Sequence, residues 1–344
     1  MKKVCVIGHF GFGKNMFNGQ TIKTKIVTQE LEKQLGVNQV VEIDTHGGAK
    51  VLPKVVCKMI GAFKNCENII IFPAHNGVKI FVPLCNCINK IFRRRLHYVV
   101  VGGWLPGFLQ KQPGLSKKLK RFYMVYVETY NMKTALEQMG FSNVVVMPNC
   151  KRLHIISVPE KCQKPYKLCT FSRVMKEKGI EDAVKAVISA NEIIGEDFYS
   201  LDIYGQIDSK QIEWFECFQK TFPSYINYQG TVKFDQSTQV LKDYFALLFP
   251  TYYEGEGFAG TALDAFSAGV PVLASDWKYN SEIIKDGING ALFEAHNVEA
   301  LCNKLVEISK DPDKWKQMGD RCIEEANMYK PDNVLKVLFK NLAQ

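Results

Sequence analysis

Short apolar runs alternate with stretches of helical periodicity from one end of this chain to the other, and nothing else restricts its fold as much. In the first half the runs fall at residues 3–7, 39–43, 68–72, 96–101, 122–127 and 144–147. In the second half they fall at 166–171, 200–204, 226–229, 246–249 and 270–274. Runs of this length between turn residues read as buried strands. The segments between them space apolar residues by three and four, as Ile22, Ile26, Val27, Leu31 and Leu35 do. Strand and helix in strict alternation give parallel sheets with helices on both faces. A chain of 344 residues is too long for one core and suits two domains. The expectation is an α/β protein of two doubly wound, Rossmann-like domains facing a central cleft.

The seam between them is expected at 149–164, which divides the chain into domains at 1–157 and 158–330. The tail 331–344 reads as one amphipathic helix with Val334, Leu335, Leu338 and Leu342 on one face, joined to the first domain. Hydrophobic residues at 47% and charged residues at 23% are the composition of a globular chain. No 18 apolar residues run together, and Val4-Cys-Val-Ile7 is too short for a signal-peptide core, so a cytoplasmic protein is expected. The 11 cysteines lack framework spacing, and most, such as Cys5, Cys57, Cys169 and Cys302, sit in apolar runs and are expected to be reduced core residues. Cys85 and Cys87 have no second pair with which to hold a metal.

The charge is uneven. Residues 1–160 carry 23 Lys+Arg against 8 Asp+Glu, whereas 161–344 carry 21 against 27. The basic residues cluster as Arg93, Arg94 and Arg95 and as Lys117, Lys118, Lys120 and Arg121. Solvated helix faces explain many such runs, but their concentration in one half points to an anionic partner. No nucleic-acid-binding motif accompanies them, so the expected partner is an anionic membrane surface, not nucleic acid.

Two glycine-rich loops follow strands. Gly8-His-Phe-Gly-Phe-Gly13-Lys14-Asn15 nearly spells a phosphate-binding P-loop, but Asn15 stands where the hydroxyl that holds magnesium belongs. The helix also begins late, near Gln20 or Thr21, which spoils the phosphate geometry. Gly13 and Gly19 then belong to a long loop able to pass close to a ligand, and His75 is the histidine expected to line the cleft near it.

The stronger constellation lies in the second half. Arg173 and Lys178 bracket a strand-to-helix loop, where two fixed cations suit a diphosphate. Pro250-Thr-Tyr-Tyr-Glu254-Gly255-Glu256-Gly257-Phe258-Ala-Gly260-Thr261 is again a loop after a strand. The helix that follows offers the N–H groups of Gly260, Thr261 and Ala262 to a phosphate and carries Asp264 one turn further in. Tyr204-Gly205 ends a third strand with a glycine that permits close approach.

Glu256 and Asp264 have seven residues between them and are followed by Ala265, Gly269, Pro271 and Val272. This pattern resembles the E-x7-E signature of retaining glycosyltransferases of family 4, which have the GT-B fold, and is similar to members that build bacterial surface polysaccharides. The resemblance is strongest over 168–290. It implies that Arg173 and Lys178 contact the donor diphosphate, Glu256 the donor sugar and Asp264 the nucleotide ribose. Asp264 is one methylene shorter than the usual second acid. Counting from Pro250 selects Glu254 as the first acid, whereas counting back from Asp264 selects Glu256, the choice preferred on spacing. The usual histidine after the fourth strand is replaced by Gly102-Gly103-Trp104.

The implied reaction moves a sugar with retention from a nucleotide diphosphate, expected to be UDP-linked, to a lipid-linked saccharide. No metal or other cofactor is expected, since Asp311-Pro-Asp313, the one D-x-D string, reads as a helix cap. A P-loop-like nucleotide hydrolase using Lys14, a sugar-nucleotide epimerase of the same fold and a basic membrane scaffold are the rival readings.

Overall fold

The structure is a computed structural model that describes residues 3–13, 19–152, 163–233 and 236–344. The expected boundary at 157/158 and the near-P-loop residues Lys14 and Asn15 lie outside the described residues. The chain divides into two compact units, Met1–Arg152 with Tyr329–Gln344, and Leu153–Met328.

The first unit holds six parallel strands: β1 (Val4–Gly8), β2 (Val40–Asp44), β3 (Asn68–Ile71), β4 (Arg95–Val99), β5 (Met124–Val127) and β6 (Val144–Val146). Their order is β2-β1-β3-β4-β5-β6. Central strands such as β1 and β3 are buried on both faces, which is why they read as uninterrupted apolar runs. The helix expected from about Gln20 begins at Gly19 and ends at Leu35.

The tail packs Val334, Leu335, Leu338 and Leu342 into the core that contains Val4, Val6, Val27 and Leu31. The expectation of a single helix is corrected: Pro331–Val334 and Lys336–Ala343 are separate helices with Leu335 between them.

The second unit repeats the plan with β7 (Tyr166–Phe171), β8 (Tyr199–Tyr204), β9 (Ile226–Gly230), β10 (Ala246–Phe249), β11 (Val272–Asp276) and β12 (Gly290–Glu294). Their parallel order is β12-β11-β10-β7-β8-β9. The edge strand β12 was not among the expected runs, since it opens on glycine, ends on an exposed glutamate and has only three apolar residues between. Its glycine is required: a Cβ at Gly290 would lie 2.0 Å from the Val272 carbonyl oxygen.

In each sheet the order reverses beside the first strand, at β1 and at β7. Loops leaving the carboxyl ends of strands at such a point form a crevice in which doubly wound sheets bind ligands. The loops after β7 and β10 are therefore neighbours, because their strands are.

Candidate functional site

Three features press the two loops together. Lys176–Lys178 is a single 3-10 turn closed by Gly179, whose φ of +68° begins the helix Ile180–Ile194. A Cβ on Gly179 would stand 2.1 Å from the Pro250 carbonyl oxygen, so glycine is what lets the first loop lie on the second. The Tyr252 amide then donates to the Glu177 carbonyl at 2.9 Å.

This contact aims Lys178 at the second loop. Its ammonium stands 2.5 Å from Glu256 Oε2, and the Thr251 hydroxyl donates to the same oxygen at 2.9 Å. The two charged side chains are only 13% and 12% exposed. The Tyr253 ring, 5.0 Å from the ammonium, covers the pair. An ion pair so enclosed feels less screening than a surface pair.

Other expected residues sit differently. Arg173 stays at the rim, 58% exposed and 3.5 Å from Asp208, so it does not share the Lys178 enclosure. Glu254 points outward, 77% exposed, and pairs with Lys278 at 2.6 Å. Gly257 and Phe258 are buried beneath the loop. The helix Gly260–Ser267 is fastened to β7 by the Thr261 hydroxyl, which donates to the Phe171 carbonyl at 2.8 Å. Asp264 is buried on its inner turn. The Ala262 N–H already donates to the Ala259 carbonyl at 3.1 Å, which corrects its expected place among the phosphate donors and leaves Gly260 and Thr261.

Gly205 has φ +138°, and a Cβ there would stand 1.7 Å from the Ser172 carbonyl oxygen, so the neighbouring loop requires the glycine.

Sequence reasoning passed over Thr251 and Ser275. The Ser275 hydroxyl donates to the Thr251 carbonyl at 2.5 Å, which holds the threonine under Glu256. Thr251 lies inside the quoted loop, but only the fold shows which way its hydroxyl turns. Asp311 caps the helix Pro312–Lys316, accepting from the Lys314 amide at 3.1 Å.

In the first unit, Gly13 turns the chain with φ +79° and Gly19 is the first residue of its helix. Asp44 gathers this loop, accepting from the amides of Phe10, Phe12 and His46. Burial pushes its carboxyl up, but these amides outweigh it and hold it below the usual range. His9 bridges Thr21 Oγ1 at 2.8 Å and His46 Nδ1 at 3.0 Å, and burial, then the second imidazole, lowers its pKa.

His75 begins the helix His75–Phe92, packs on Phe108 with ring centroids 4.4 Å apart, and lines a cavity of about 420 Å³.

The basic cluster divides in two. Arg94 donates to the Phe63 and Lys64 carbonyls, Arg95 lies 5.2 Å over the Tyr123 ring, and Lys120 donates to the Met139 carbonyl at 2.6 Å. Arg94 and Arg95 are half-buried and held by these contacts, whereas Lys120 is exposed. Arg93, Lys117, Lys118 and Arg121 are exposed. Among the described residues no helix is long and apolar enough to cross a membrane.

Comparison with known proteins bears on this geometry. The profile of the family described as "Glycosyl transferases group 1" matches residues 153–326. The GtfA subunit of the Streptococcus pneumoniae UDP-N-acetylglucosamine–peptide N-acetylglucosaminyltransferase is 34% identical over 131 residues, 38% of this chain and 25% of that one. The poly(glycerol-phosphate) alpha-glucosyltransferase of Bacillus subtilis is 24% identical over 183 residues, 53% of this chain and 26% of its own length. The chain thus spans less than half the length of these curated relatives. Among solved structures, Anabaena HepE in complex with UDP superimposes with a TM-score of 0.76 at 15% identity, covering 99% of both chains. At that identity the likeness speaks for the fold, two Rossmann-like units of the GT-B type.

Proposed function

The chain belongs to the group 1 glycosyl transferases, and from that premise we propose that it is a retaining, family 4 enzyme that moves a sugar from a UDP-sugar to a lipid-linked saccharide in surface-polysaccharide synthesis. The observation that carries the reading is the enclosed Lys178–Glu256 pair, set on Thr251 at the carboxyl ends of β7 and β10 within the matched residues. UDP in the HepE complex and in the name of the streptococcal relative supports the donor. An alpha-glucosyl product in the Bacillus relative supports retention, since the sugar of such a donor is itself α-linked.

In this mechanism the bond from the anomeric carbon to the diphosphate oxygen breaks and one from that carbon to the acceptor oxygen forms. The acceptor proton passes to the leaving diphosphate on the same face. Negative charge grows on the diphosphate, where Lys178, Arg173 and the amides of Gly260 and Thr261 receive it. Preorganised donors of this kind contribute roughly 3–4 kcal/mol each. Glu256 holds a sugar hydroxyl and offsets positive charge at the anomeric carbon, while Asp264 receives the ribose. With the leaving group met by these cations and amides, the reading calls for no metal.

The exposed cations of the first unit would hold the enzyme against the anionic cytoplasmic leaflet, at about 1 kcal/mol for each Lys or Arg near the surface. Liposome sedimentation at low salt tests this, and equal binding to neutral and anionic vesicles would sink it. The main test is thermal shift with a panel of nucleotide sugars and triphosphates, with and without magnesium. One UDP-sugar is expected to stabilise the chain, without magnesium, beyond UDP alone. That extra shift is expected to vanish in Glu256→Ala and persist in Lys14→Ala. Stabilisation by ATP or GTP that requires magnesium and Lys14 would overturn the reading in favour of a P-loop hydrolase.

A further inference from the structure

We propose that Trp277 and Lys278, in the loop after β11, are positioning residues that set the Glu256 carboxylate; this rests on the transferase reading and adds two side chains that act through Glu256. Glu256 closes a tight turn. Its amide donates to the Tyr253 carbonyl at 3.0 Å, with Glu254 and Gly255 at the centre. A Cβ at Gly255 would stand 2.6 Å from the Tyr253 ring, so the turn folds tightly over its own tyrosine.

A second turn faces it. The Asn280 amide donates to the Trp277 carbonyl at 3.0 Å, with Lys278 and Tyr279 at the centre. Two links join the turns. The Trp277 indole Nε1 donates to the Tyr253 carbonyl at 3.0 Å, the same oxygen that closes the Glu256 turn. The Lys278 ammonium donates to Glu254 at 2.6 Å. The His296 ring meets the indole edge-on at 5.5 Å and packs on Tyr252 at 4.2 Å, which keeps the indole N–H aimed.

The backbone marks the same place. Among the described residues, the non-glycine positions with positive φ are Arg93, Lys278 and His296. Arg93 ends a helix, where the left-handed state is a common cap. Lys278 at φ +53° and His296 at φ +62° both bear on the Glu256 turn. The first central position of a turn with positive φ suits glycine or asparagine, not lysine. The ion pair does not offset that strain, because Glu254 is exposed and such pairs contribute little to stability. Strain of this kind persists where the surroundings hold a functional geometry. What the lysine supplies is direction for Glu254, and so for Glu256 two residues on.

The test compares the full chain with Lys278→Gly, Lys278→Arg and Trp277→Phe. Lys278→Gly removes the ammonium and relaxes the backbone, so its urea midpoint is expected to match the wild type. Hydrogen exchange at the amides of 251–257 is expected to quicken all the same. The kinetic probe is the UDP-sugar of the thermal-shift panel that binds best, with UDP-glucose and UDP-N-acetylglucosamine among those tried. In Lys278→Gly the affinity for UDP is expected to hold, while the added affinity of the sugar falls. Transfer of that sugar to water, read as UDP release, is expected to slow by about 10–10²-fold, the cost of a misplacement of roughly 1 Å. Trp277→Phe keeps a ring but loses the N–H and is expected to do the same, whereas Lys278→Arg regains most of the rate. Unchanged exchange in Lys278→Gly overturns the tether. Quickened exchange with unaltered sugar affinity and rate overturns the positioning role, as does a rate lost only in step with the urea midpoint. A wild-type chain that binds no UDP-sugar of the panel defeats the transferase reading and the role of the two residues in it.

Discussion

Lys178 and Glu256, 78 residues apart in sequence, meet at 2.5 Å, and Thr251 donates to the same carboxylate oxygen. In the proposed mechanism Glu256 is the counterion of Lys178 until a diphosphate competes for the ammonium, whereupon the carboxylate would be released toward the sugar. The two residues are therefore expected to separate in their effects. Glu256→Gln should bind UDP at least as tightly as the wild type, because the competing charge is gone, while turnover falls about 10²–10³-fold. Lys178→Ala should lose both. Calorimetry with UDP beside a turnover assay checks this, and equal loss of UDP affinity in the two variants would contradict the exchange.

The pair depends on a glycine. Gly179→Ala would set a Cβ 2.1 Å from the Pro250 carbonyl and force a side chain into φ +68°. Backbone strain and overpacking together predict a loss of about 3 kcal/mol in stability. The second loop must retreat, carrying Thr251 and Glu256 with it, so the KM for the donor is expected to rise as well. Urea unfolding and donor titration measure the two effects, and an unchanged KM in a destabilised variant would show that the loops move independently.

What the sequence made legible follows from burial. Eleven strands could be read because the sheets are parallel and their inner strands carry unbroken apolar runs, as Ile69–Ile71 does. Gly290–Glu294 escaped because its apolar run is only Ala291, Leu292 and Phe293, between a glycine and a glutamate. Spacing favoured Glu256 over Glu254, and the fold turns Glu256 to Lys178 and Glu254 outward to Lys278. The duties of the cations were not legible. Arg94 is spent on the carbonyls of Phe63 and Lys64 at the end of the Leu52–Asn65 helix, where cations suit the helix dipole. No local pattern distinguishes it from exposed Arg93.

A second buried pair supports the first unit. Lys23 donates to Glu128 at 2.6 Å and to the Val100 carbonyl at 3.0 Å, with the two charged side chains 2% and 3% exposed. Lys23→Met leaves a buried carboxylate without its counterion and should cost about 3–5 kcal/mol. Adding Glu128→Leu should return most of that loss, since apolar groups of similar size then replace both charges. Urea unfolding of the two single variants and the double decides it; costs that simply add would show that the pair is not coupled.

Acid should weaken the first unit through His97. Its ring is buried on β4 between Asn68 Oδ1 and the Tyr126 hydroxyl, each at 3.1 Å. Burial, then the charge of Arg95, lowers its pKa to about 3. In the unfolded chain the imidazole titrates near ~6.5. Between those values the unfolded state binds more protons than the folded one, so stability is present above pH ~6.5 and declines as pH falls toward 3. The slope contributed by this one group is about 1.4 kcal/mol per pH unit once the pH is well below ~6. His97→Gln keeps a polar side chain between Asn68 and Tyr126 but cannot titrate, so its stability should fall less steeply from pH 7 to pH 5. Urea midpoints of both proteins at the two pH values measure the difference, and parallel losses would mean that His97 is not the group that charges.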